Sequence, residues 1–252
     1  MLICDYQLTF VKKISYERMI EILQSFDHEV MILLNLGEHH TIHSDFFFWT
    51  ISQNLFIWFP VLALFFYVLA KNKRKEAFAI IGFFILLILL CDQISSSILK
   101  PWIARPRPSH DPSIESLLTY VYNYKGGAFG FPSSHAANCF GFAIFSSLLF
   151  QYKPYTFISI GWAILCSYSR IYLGVHFPCD ILFGIILGSA IAFGCYTLYS
   201  KLSDKYLREE ASSFKRYDTT PTGYIKRDIR LIILTLTTLL FAVAISSLHV
   251  QA

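Results

Sequence analysis

The chain has 252 residues, of which 55% are hydrophobic, 17% aromatic and only 15% charged. Soluble domains carry charge on about 25% of their positions, so this composition excludes an ordinary soluble protein and predicts a membrane protein. The formal net charge of +4 is small, and the basic residues are not interleaved into a nucleic-acid-binding surface, so no nucleic-acid partner is expected.

The first predicted element is an N-terminal helix at the membrane interface. Residues 16–36 place apolar side chains near helical spacing with charged ones among them, and no cleaved signal peptide is expected. Six apolar stretches that could cross a bilayer follow, at 48–70, 77–99, 134–152, 154–170, 178–200 and 231–248. We therefore predict an all-α fold, an integral membrane bundle of about six transmembrane helices, with an interfacial segment 1–45, a membrane-embedded core 46–200 and a basic segment plus the final helix in 201–252.

Lysine and arginine are distributed unequally between the two sides of the predicted bundle. Thirteen lie on one side, with four in loop 71–76, one at Lys153 and eight in 201–230, against five in the opposite loops. Because cytoplasmic loops are enriched in these residues, the five are expected at the outer face of a bacterial inner membrane. The five are Lys100, Arg105, Arg107, Lys125 and Arg170.

The first basic segment, KPWIARPRP, follows the helix predicted to end at Leu99. It holds Lys100 and Arg107, and its three prolines are expected to end the helix and to stiffen an extended loop. Arg105 precedes Arg107 by two residues, and we interpret it as a solvated loop cation rather than a substrate contact. A basic cluster at a helix end is usually an interface anchor, so this segment alone is weak evidence of a site.

The second segment, GAFGFPSSHAAN, leads into an apolar helix. Pro132, Ser133 and Ser134 are typical of a helix start, and capping alone could account for them. A helix start also presents unpaired backbone N–H groups and a positive dipole end, which suit a phosphate, and His135 stands beside them. Both interpretations stay open for this segment taken alone.

The third segment, SRIYLGVHFPCD, contains Ser169, Arg170, His176 and Asp180. A carboxylate four residues after a histidine can accept a hydrogen bond from one imidazole nitrogen and leave the other free as a nucleophile. A surface histidine near a helix-starting aspartate would give the same pattern. All three segments, however, fall on one predicted side at helix ends, and together they indicate a single phosphate site.

Two further features lie near these segments. Asp92 is within a predicted membrane helix, on the face that also carries Ser96 and Lys100. It fits either a carboxylate that supports Lys100 or an inward structural polar stripe. We interpret three alternating tyrosines before the second segment as an aromatic belt at the membrane interface; they are Tyr120, Tyr122 and Tyr124.

The segments resemble the three motifs of the type 2 phosphatidic acid phosphatase family, Lys-x6-Arg-Pro, Pro-Ser-Gly-His and Ser-Arg-x5-His-x3-Asp. The matching residues are 100–108, 132–135 and 169–180, with complete spacing, and the resemblance covers about residues 45–200. The one departure is Ser134, where the family usually has glycine. We expect it to change modestly how the backbone approaches phosphate.

The resemblance implies roles for individual residues. His176 attacks phosphorus to form a phosphohistidine, Asp180 orients it, and His135 protonates the leaving oxygen. The phosphate oxygens are bound by Lys100, Arg107, Arg170, Ser133 and Ser134. Protein cations then neutralise the charge that a metal ion neutralises in many phosphatases, so neither a metal nor a cofactor is expected.

A site at the ends of membrane helices can be reached laterally by an amphiphile, which favours a lipid phosphate or diphosphate as the substrate. By analogy with the family, undecaprenyl diphosphate and lipid A rank first, followed by phosphatidylglycerophosphate and phosphatidic acid. The expected protein is a lipid phosphatase of a bacterial inner membrane whose site faces the periplasm.

Three alternatives fit less well. A transporter would place its charges near the bilayer midplane, whereas here the cations cluster in loops at one face. A catalytically inactive, lipid-binding family member would not need both histidines and the aspartate. Vanadate-dependent haloperoxidases have similar motifs but are soluble.

Overall fold

The computed structural model describes residues 22–206 and 218–251. Within these ranges the regular elements are helices, accompanied by two isolated β-bridges. The α-helices are α1 (22–35), α2 (Ile42–Gln53), α3 (Phe59–Asn72), α4 (Arg74–Asp92), α5 (Lys100–Ile103), α6 (Ser134–Phe150), α7 (Lys153–Tyr172), α8 (Pro178–Tyr206) and α9 (Lys226–Leu248). Residues 16–21 of the predicted interfacial helix and residues 207–217 of the basic segment lie outside the described residues.

Four helical stretches of the described chain are long and apolar enough to cross a membrane. They are Leu55–Asn72, Glu76–Ile103, Pro178–Tyr206 and Lys226–Leu248. The apolar helix α6 is slightly shorter, at 17 residues. Each predicted apolar stretch is helical over most of its length. The prediction of an all-helical, multi-pass membrane protein is confirmed.

The prediction of one continuous helix over 48–70 is wrong. Helix α2 ends at Gln53, and the side chain of Asn54 accepts a hydrogen bond from the backbone N–H of Phe56 at 3.1 Å. A short amide side chain that bonds to the nearby backbone competes with the helical bonds, so Asn54 ends one helix and caps the next turn. As a result α2 packs against α7 and α9 as a separate element.

The end of α4 also differs from the prediction. Instead of stopping at Leu99, the helix continues as a π-helical segment over Gln93–Leu99 and then as α5, which ends at Ile103; the next residue, Ala104, has a φ of 51°. Pro101 does not end the helix: it lies in α5, directly after the π-helical segment, and helical backbone continues to Ile103. Lys100 therefore extends from a helix and not from an extended loop.

Helix α6 packs against α4, α7 and α8. Two glycines let α8 approach it closely: a Cβ atom at Gly184 would lie 2.4 Å from the carbonyl oxygen of Ser133, and one at Gly188 would lie 2.1 Å from that of Ala137. The two helices also begin together, because the N–H of Ser133 donates to the carbonyl of Asp180 at 2.9 Å. The second and third sequence segments are thereby held side by side.

Buried polar contacts hold the opposite end of the bundle. Asp228 of α9 pairs with Lys71 at 2.9 Å and accepts a hydrogen bond from the side chain of Asn72 at 3.2 Å. The side-chain oxygen of Asn72 accepts in turn from the N–H of Ile225 at 2.9 Å. Loop 71–76 and the start of α9, both rich in basic residues, therefore lie at one end, and the three sequence segments lie at the other.

Gly188→Ala should destabilise the protein by about 1–3 kcal/mol, because the added methyl group would collide with the helix backbone at Ala137, which cannot move aside. The measurement is the thermal unfolding midpoint of the purified protein in detergent. Gly194, also on α8, has no atom within 4 Å of an added Cβ, and Gly194→Ala is the matched control. It should be neutral, or stabilising by up to about 1 kcal/mol through helix propensity. Equal midpoints for the two variants would contradict the close packing of α6 and α8.

Candidate active site

The three sequence segments meet at one end of the bundle. The segment after α5 pairs with the segment before α6: the N–H of Arg107 donates to the carbonyl of Ala128 at 3.1 Å, and the N–H of Gly130 donates to the carbonyl of Arg105 at 3.0 Å. This short antiparallel pairing lays the first segment beside the second. The connection between α7 and α8 completes the site with His176.

His176 and Asp180 form a buried pair. Nδ1 of His176 lies 3.3 Å from Oδ2 of Asp180, which also accepts from the N–H of Phe177 at 3.0 Å. The other imidazole nitrogen, Nε2, lies 3.1 Å from Nη1 of Arg107. A guanidinium group can only donate, so Nε2 accepts and Nδ1 carries the proton that is donated to Asp180. The unshared electron pair of the imidazole is therefore on Nε2, the nitrogen that faces Arg107.

The start of α6 lies directly beside this pair. Oγ of Ser133 accepts a hydrogen bond from the N–H of Ala136 at 3.3 Å and caps the helix. His135, the second residue of α6, is half-buried. Gly130, just before the helix, passes so close that a Cβ atom there would lie 2.6 Å from Oδ2 of Asp180. Only glycine permits this approach, which accounts for part of the glycine-rich sequence.

Three cations surround the histidine. Arg107 and Arg170 are 8% and 6% exposed, and Lys100 is half-buried. Nη1 of Arg170 donates to Oγ of Ser52 at 2.7 Å, and Nζ of Lys100 donates to Oγ of Ser134 at 3.2 Å. Within the described part of the chain, none of the three has a carboxylate at salt-bridge distance, and Nε of both arginines lacks a partner. Because buried charge without a counter-ion is costly, this pocket favours an anion.

The same environment shifts the protonation of the site. Burial lowers the pKa of His176 well below its ordinary value, and the charges of Arg107, Arg170, Lys100 and His135 lower it further. The imidazole is therefore neutral, which is the form that can act as a nucleophile. Burial also lowers the pKa of the Arg107 guanidinium, and repulsion by Arg170 adds to this effect. A bound anion would relieve that repulsion.

Two residues at this site have no signal in the sequence. Ser52 holds Arg170 although 118 positions separate them. Tyr124, interpreted above as part of an aromatic belt, has its ring centroid 5.9 Å from Cζ of Arg170. Burial raises the pKa of Tyr124, but the interaction with the nearby Arg170 guanidinium outweighs burial and lowers the pKa. Tyr124 therefore belongs to the cation pocket.

The interpretation of Arg105 as a solvated loop cation is wrong. Its side chain is only 19% exposed, with Nη1 donating to Oδ1 of Asp180 at 3.0 Å and Nη2 donating to Oδ2 of Asp27. The guanidinium also lies over the ring of Phe177, 4.2 Å from its centroid. Spacing could not predict these contacts, since the two carboxylates lie 75 and 78 positions away in the sequence.

Asp92 accepts a hydrogen bond from Oγ of Ser96 at 3.2 Å, in keeping with their shared helix face. In the part of the chain that the structure describes, no ion pair joins Asp92 to Lys100, and Lys100 contacts Ser134 instead. The charge of Asp92 still interacts favourably with Lys100, so both of the interpretations left open above remain compatible with the structure.

Comparison with known proteins places this geometry in a family. The pattern of the PAP2 superfamily matches residues 81–204. The chain is 37% identical over 188 residues to a lipid A 4′-phosphatase of Porphyromonas gingivalis, covering 75% of this chain and 79% of that protein. The chain belongs to the PAP2 superfamily. The predicted family is thus confirmed, and the protein is a hydrolase of phosphoester bonds.

Two further proteins are similar to this chain. An undecaprenyl-diphosphatase of Sulfolobus acidocaldarius is 30% identical over 184 residues, which cover 73% of this chain and 82% of that protein. The crystal structure of Aquifex aeolicus LpxE superimposes with a TM-score of 0.51 at 26% identity, covering 67% of this chain and 93% of that one.

Ser134 is the one position where this chain departs from the PAP2 motif, and its hydroxyl contacts Lys100. Ser134→Gly should therefore raise KM for a lipid phosphate roughly fivefold with a smaller effect on kcat, because losing a hydrogen bond of about 1 kcal/mol frees Lys100 without removing its charge. Ser134→Ala removes the hydroxyl but keeps Cβ, and it should give the same KM. A wild-type KM for Ser134→Ala would show that the hydroxyl does not position Lys100.

Proposed function

We propose that this PAP2 phosphatase removes a phosphate group, the 4′-phosphate, from lipid A at the periplasmic face of a bacterial inner membrane. One observation carries the proposal. Three cations lie around a neutral His176, and within the described chain none of them has a carboxylate partner. Lipid A ranks above undecaprenyl diphosphate because the relative named for it shares 37% identity, against 30% for the undecaprenyl-diphosphatase.

In the proposed reaction, the electron pair on Nε2 of His176 attacks phosphorus, and the bond between phosphorus and the sugar oxygen breaks. His135 gives its proton to that leaving oxygen. Asp180 stabilises the positive charge that develops on the imidazole. Water then attacks the phosphohistidine, the N–P bond breaks, His135 takes a proton from the water, and inorganic phosphate leaves.

The cations are proposed to bind the phosphate oxygens throughout this sequence. The unpaired Nε groups of Arg107 and Arg170 are donors that a phosphate could satisfy, and Lys100 adds a third charge. Ser133, Ser134 and the N–H groups in the first turn of α6 would complete the set. Charge that is already in place stabilises a phosphoryl-transfer transition state without reorganisation, so the arrangement needs no metal ion.

We further propose six membrane crossings, made by α3, by α4 with α5, and by α6 to α9, with α1 lying along the outer surface. The excess of lysine and arginine in loop 71–76 and in 201–230 favours a cytoplasmic location for that end. The contact between Asp27 and Arg105 brings α1 to the same end as the site. Several exposed apolar side chains of α1 could face lipid; they include Ile22, Leu23, Phe26 and Leu33.

The head group is tested with purified protein in detergent that contains EDTA. Phosphate release is compared for lipid A, undecaprenyl diphosphate, phosphatidylglycerophosphate and phosphatidic acid, with His176→Ala as the blank. Lipid A should give the highest kcat/KM, with loss of the 4′-phosphate by mass spectrometry, and vanadate should inhibit because it mimics five-coordinate phosphorus. Preference for undecaprenyl diphosphate would change the assigned substrate. Activity lost in EDTA and restored by Mg²⁺ would contradict the metal-free mechanism.

The two histidines are distinguished by the leaving group. With a lipid phosphate, His135→Ala and His176→Ala should each lose at least about 100-fold in kcat. An aryl phosphate with a low leaving-group pKa needs no protonation, so it should restore much of the phosphorylation rate of His135→Ala, measured as a burst of aryl alcohol, and none of that of His176→Ala. Asp180→Asn should resemble a milder His176→Ala. Rescue of His176→Ala alone would reverse the two assignments, and equal rescue of both would exclude a phosphohistidine.

A further inference from the structure

Arg105 and Asp27 form a buried network of charges next to the proposed nucleophile. Both oxygens of Asp180 are engaged: Oδ2 accepts from Nδ1 of His176 and the N–H of Phe177, and Oδ1 accepts from Nη1 of Arg105. Asp27, which is 1% exposed, accepts from Nη2 of Arg105 through Oδ2. A single guanidinium group therefore joins two buried carboxylates.

This network has an electrostatic requirement. Two carboxylates shielded from water repel each other strongly unless a cation lies between them. Arg105 is the cation in direct contact with both, because the phosphate-binding cations make no ion pair with either carboxylate in the described chain. Removing its charge would leave Asp180 exposed to the field of Asp27, and Asp180 would then be a weaker and less well-placed partner for His176.

Asp27 also connects α1 to the helix that carries Asp180. Its Oδ1 accepts from the N–H of Cys179, in the first turn of α8, at 2.9 Å. A carboxylate at a helix N-terminus satisfies an unpaired N–H and interacts favourably with the helix dipole. The next residue, His28, stacks on Phe177 with ring centroids 5.2 Å apart. Helix α1 thus contacts the residues on either side of Pro178, where α8 begins.

We propose that Arg105 and Asp27 are positioning residues that hold the Asp180 carboxylate against Nδ1 of His176, so that the N-terminal helix is part of the active-site structure. Neither residue has a role among those that the PAP2 motifs imply. The inference rests on the proposed function, since it assigns Asp180 to the support of a nucleophilic His176.

The test is a mutant cycle measured with an aryl phosphate in detergent. Arg105→Met should lower kcat about 100-fold with little change in KM, because the nucleophile is misplaced while the phosphate-binding cations remain. In an Asp180→Asn background the same substitution should cost less than about threefold, because Arg105 acts through the Asp180 carboxylate. Arg105→Lys, which keeps the charge, should recover part of the loss.

A second arm tests the electrostatic argument. Asp27→Asn should lower kcat only severalfold, and Asp27→Asn combined with Arg105→Met should be more active than Arg105→Met alone, because one of the two repelling charges is gone. Lys125→Gln is the matched control, since Lys125 is another cation of these loops but its side chain is 54% exposed. It should keep wild-type kcat within about twofold. Size-exclusion profiles and unfolding midpoints identify any variant that fails to fold. If Arg105→Met fails to fold, the isosteric Asp27→Asn and the charge-conserving Arg105→Lys still test the inference.

The outcomes separate this inference from the proposed function. If wild type and Lys125→Gln are active, His176→Ala is inactive and Arg105→Met keeps wild-type kcat, the positioning role is wrong and the phosphatase mechanism stands. Equal losses from Arg105→Met in the wild-type and Asp180→Asn backgrounds would also overturn the positioning role. If wild type releases no phosphate from any ester, the proposed function fails and this inference fails with it.

Discussion

The site depends on three cations, Lys100, Arg107 and Arg170, that lie in a shielded pocket and are not paired with carboxylates of the described chain. Arg107 and Arg170 are held by neutral oxygens, the carbonyl of Val175 at 2.9 Å and Oγ of Ser52 at 2.7 Å. These bonds fix the position of each guanidinium group but leave its charge uncompensated, which is costly unless an anion arrives. The carboxylates of the site, Asp180 and Asp27, pair with His176 and Arg105 instead. The pocket of cations therefore stays positive while the histidine keeps a negative partner.

The cations and the carboxylates can stay apart only if the starts of α6 and α8 do not move relative to one another. The start of α6 and the start of α8 are joined by the hydrogen bond from Ser133 to Asp180, and the glycines of α8 let the two backbones touch. Gly130 then fits against the Asp180 carboxylate with no room for a side chain. A site preorganised in this way does not pay to reorient its dipoles during phosphoryl transfer, which is the main contribution that a protein makes to this chemistry.

Local features of the sequence predicted much of this arrangement. Apolar runs located the helices because a helix that crosses a membrane is apolar over most of its length, and motif spacing predicted that His176 and Asp180 are close because only four positions separate them. The effect of helix-breaking residues was less predictable, because it depends on where in a helix each of them lies. Asn54 lies inside an apolar run, yet it ends one helix and caps the next turn. Pro101 lies in a proline-rich segment, yet it does not interrupt the helix at α5.

Contacts between distant segments were not predictable from one sequence. Ser52 belongs to no motif, and nothing in its neighbourhood indicates that α2 packs beside Arg170. Arg105 looked redundant because it repeats the Arg-Pro pattern of Arg107. Its function depends on Asp27, which lies on a helix whose charged residues looked like those of any interfacial segment.

The pairing of the segment after α5 with the segment before α6 accounts for the repeated Arg-Pro at Arg105 and Arg107. Pro106 forms an antiparallel bridge with Phe129, so the chain is extended there, and side chains two residues apart on an extended chain point the same way. Arg105 and Arg107 consequently reach the same histidine–aspartate pair from its two ends: Arg105 contacts Oδ1 of Asp180, and Arg107 contacts Nε2 of His176. A shift of one residue in this pairing would turn both arginines away together. The spacing of the two arginines therefore joins Arg107, the cation proposed to bind phosphate, to Arg105, the cation that pairs with the Asp180 carboxylate, and the repeated Arg-Pro acts as one structural unit.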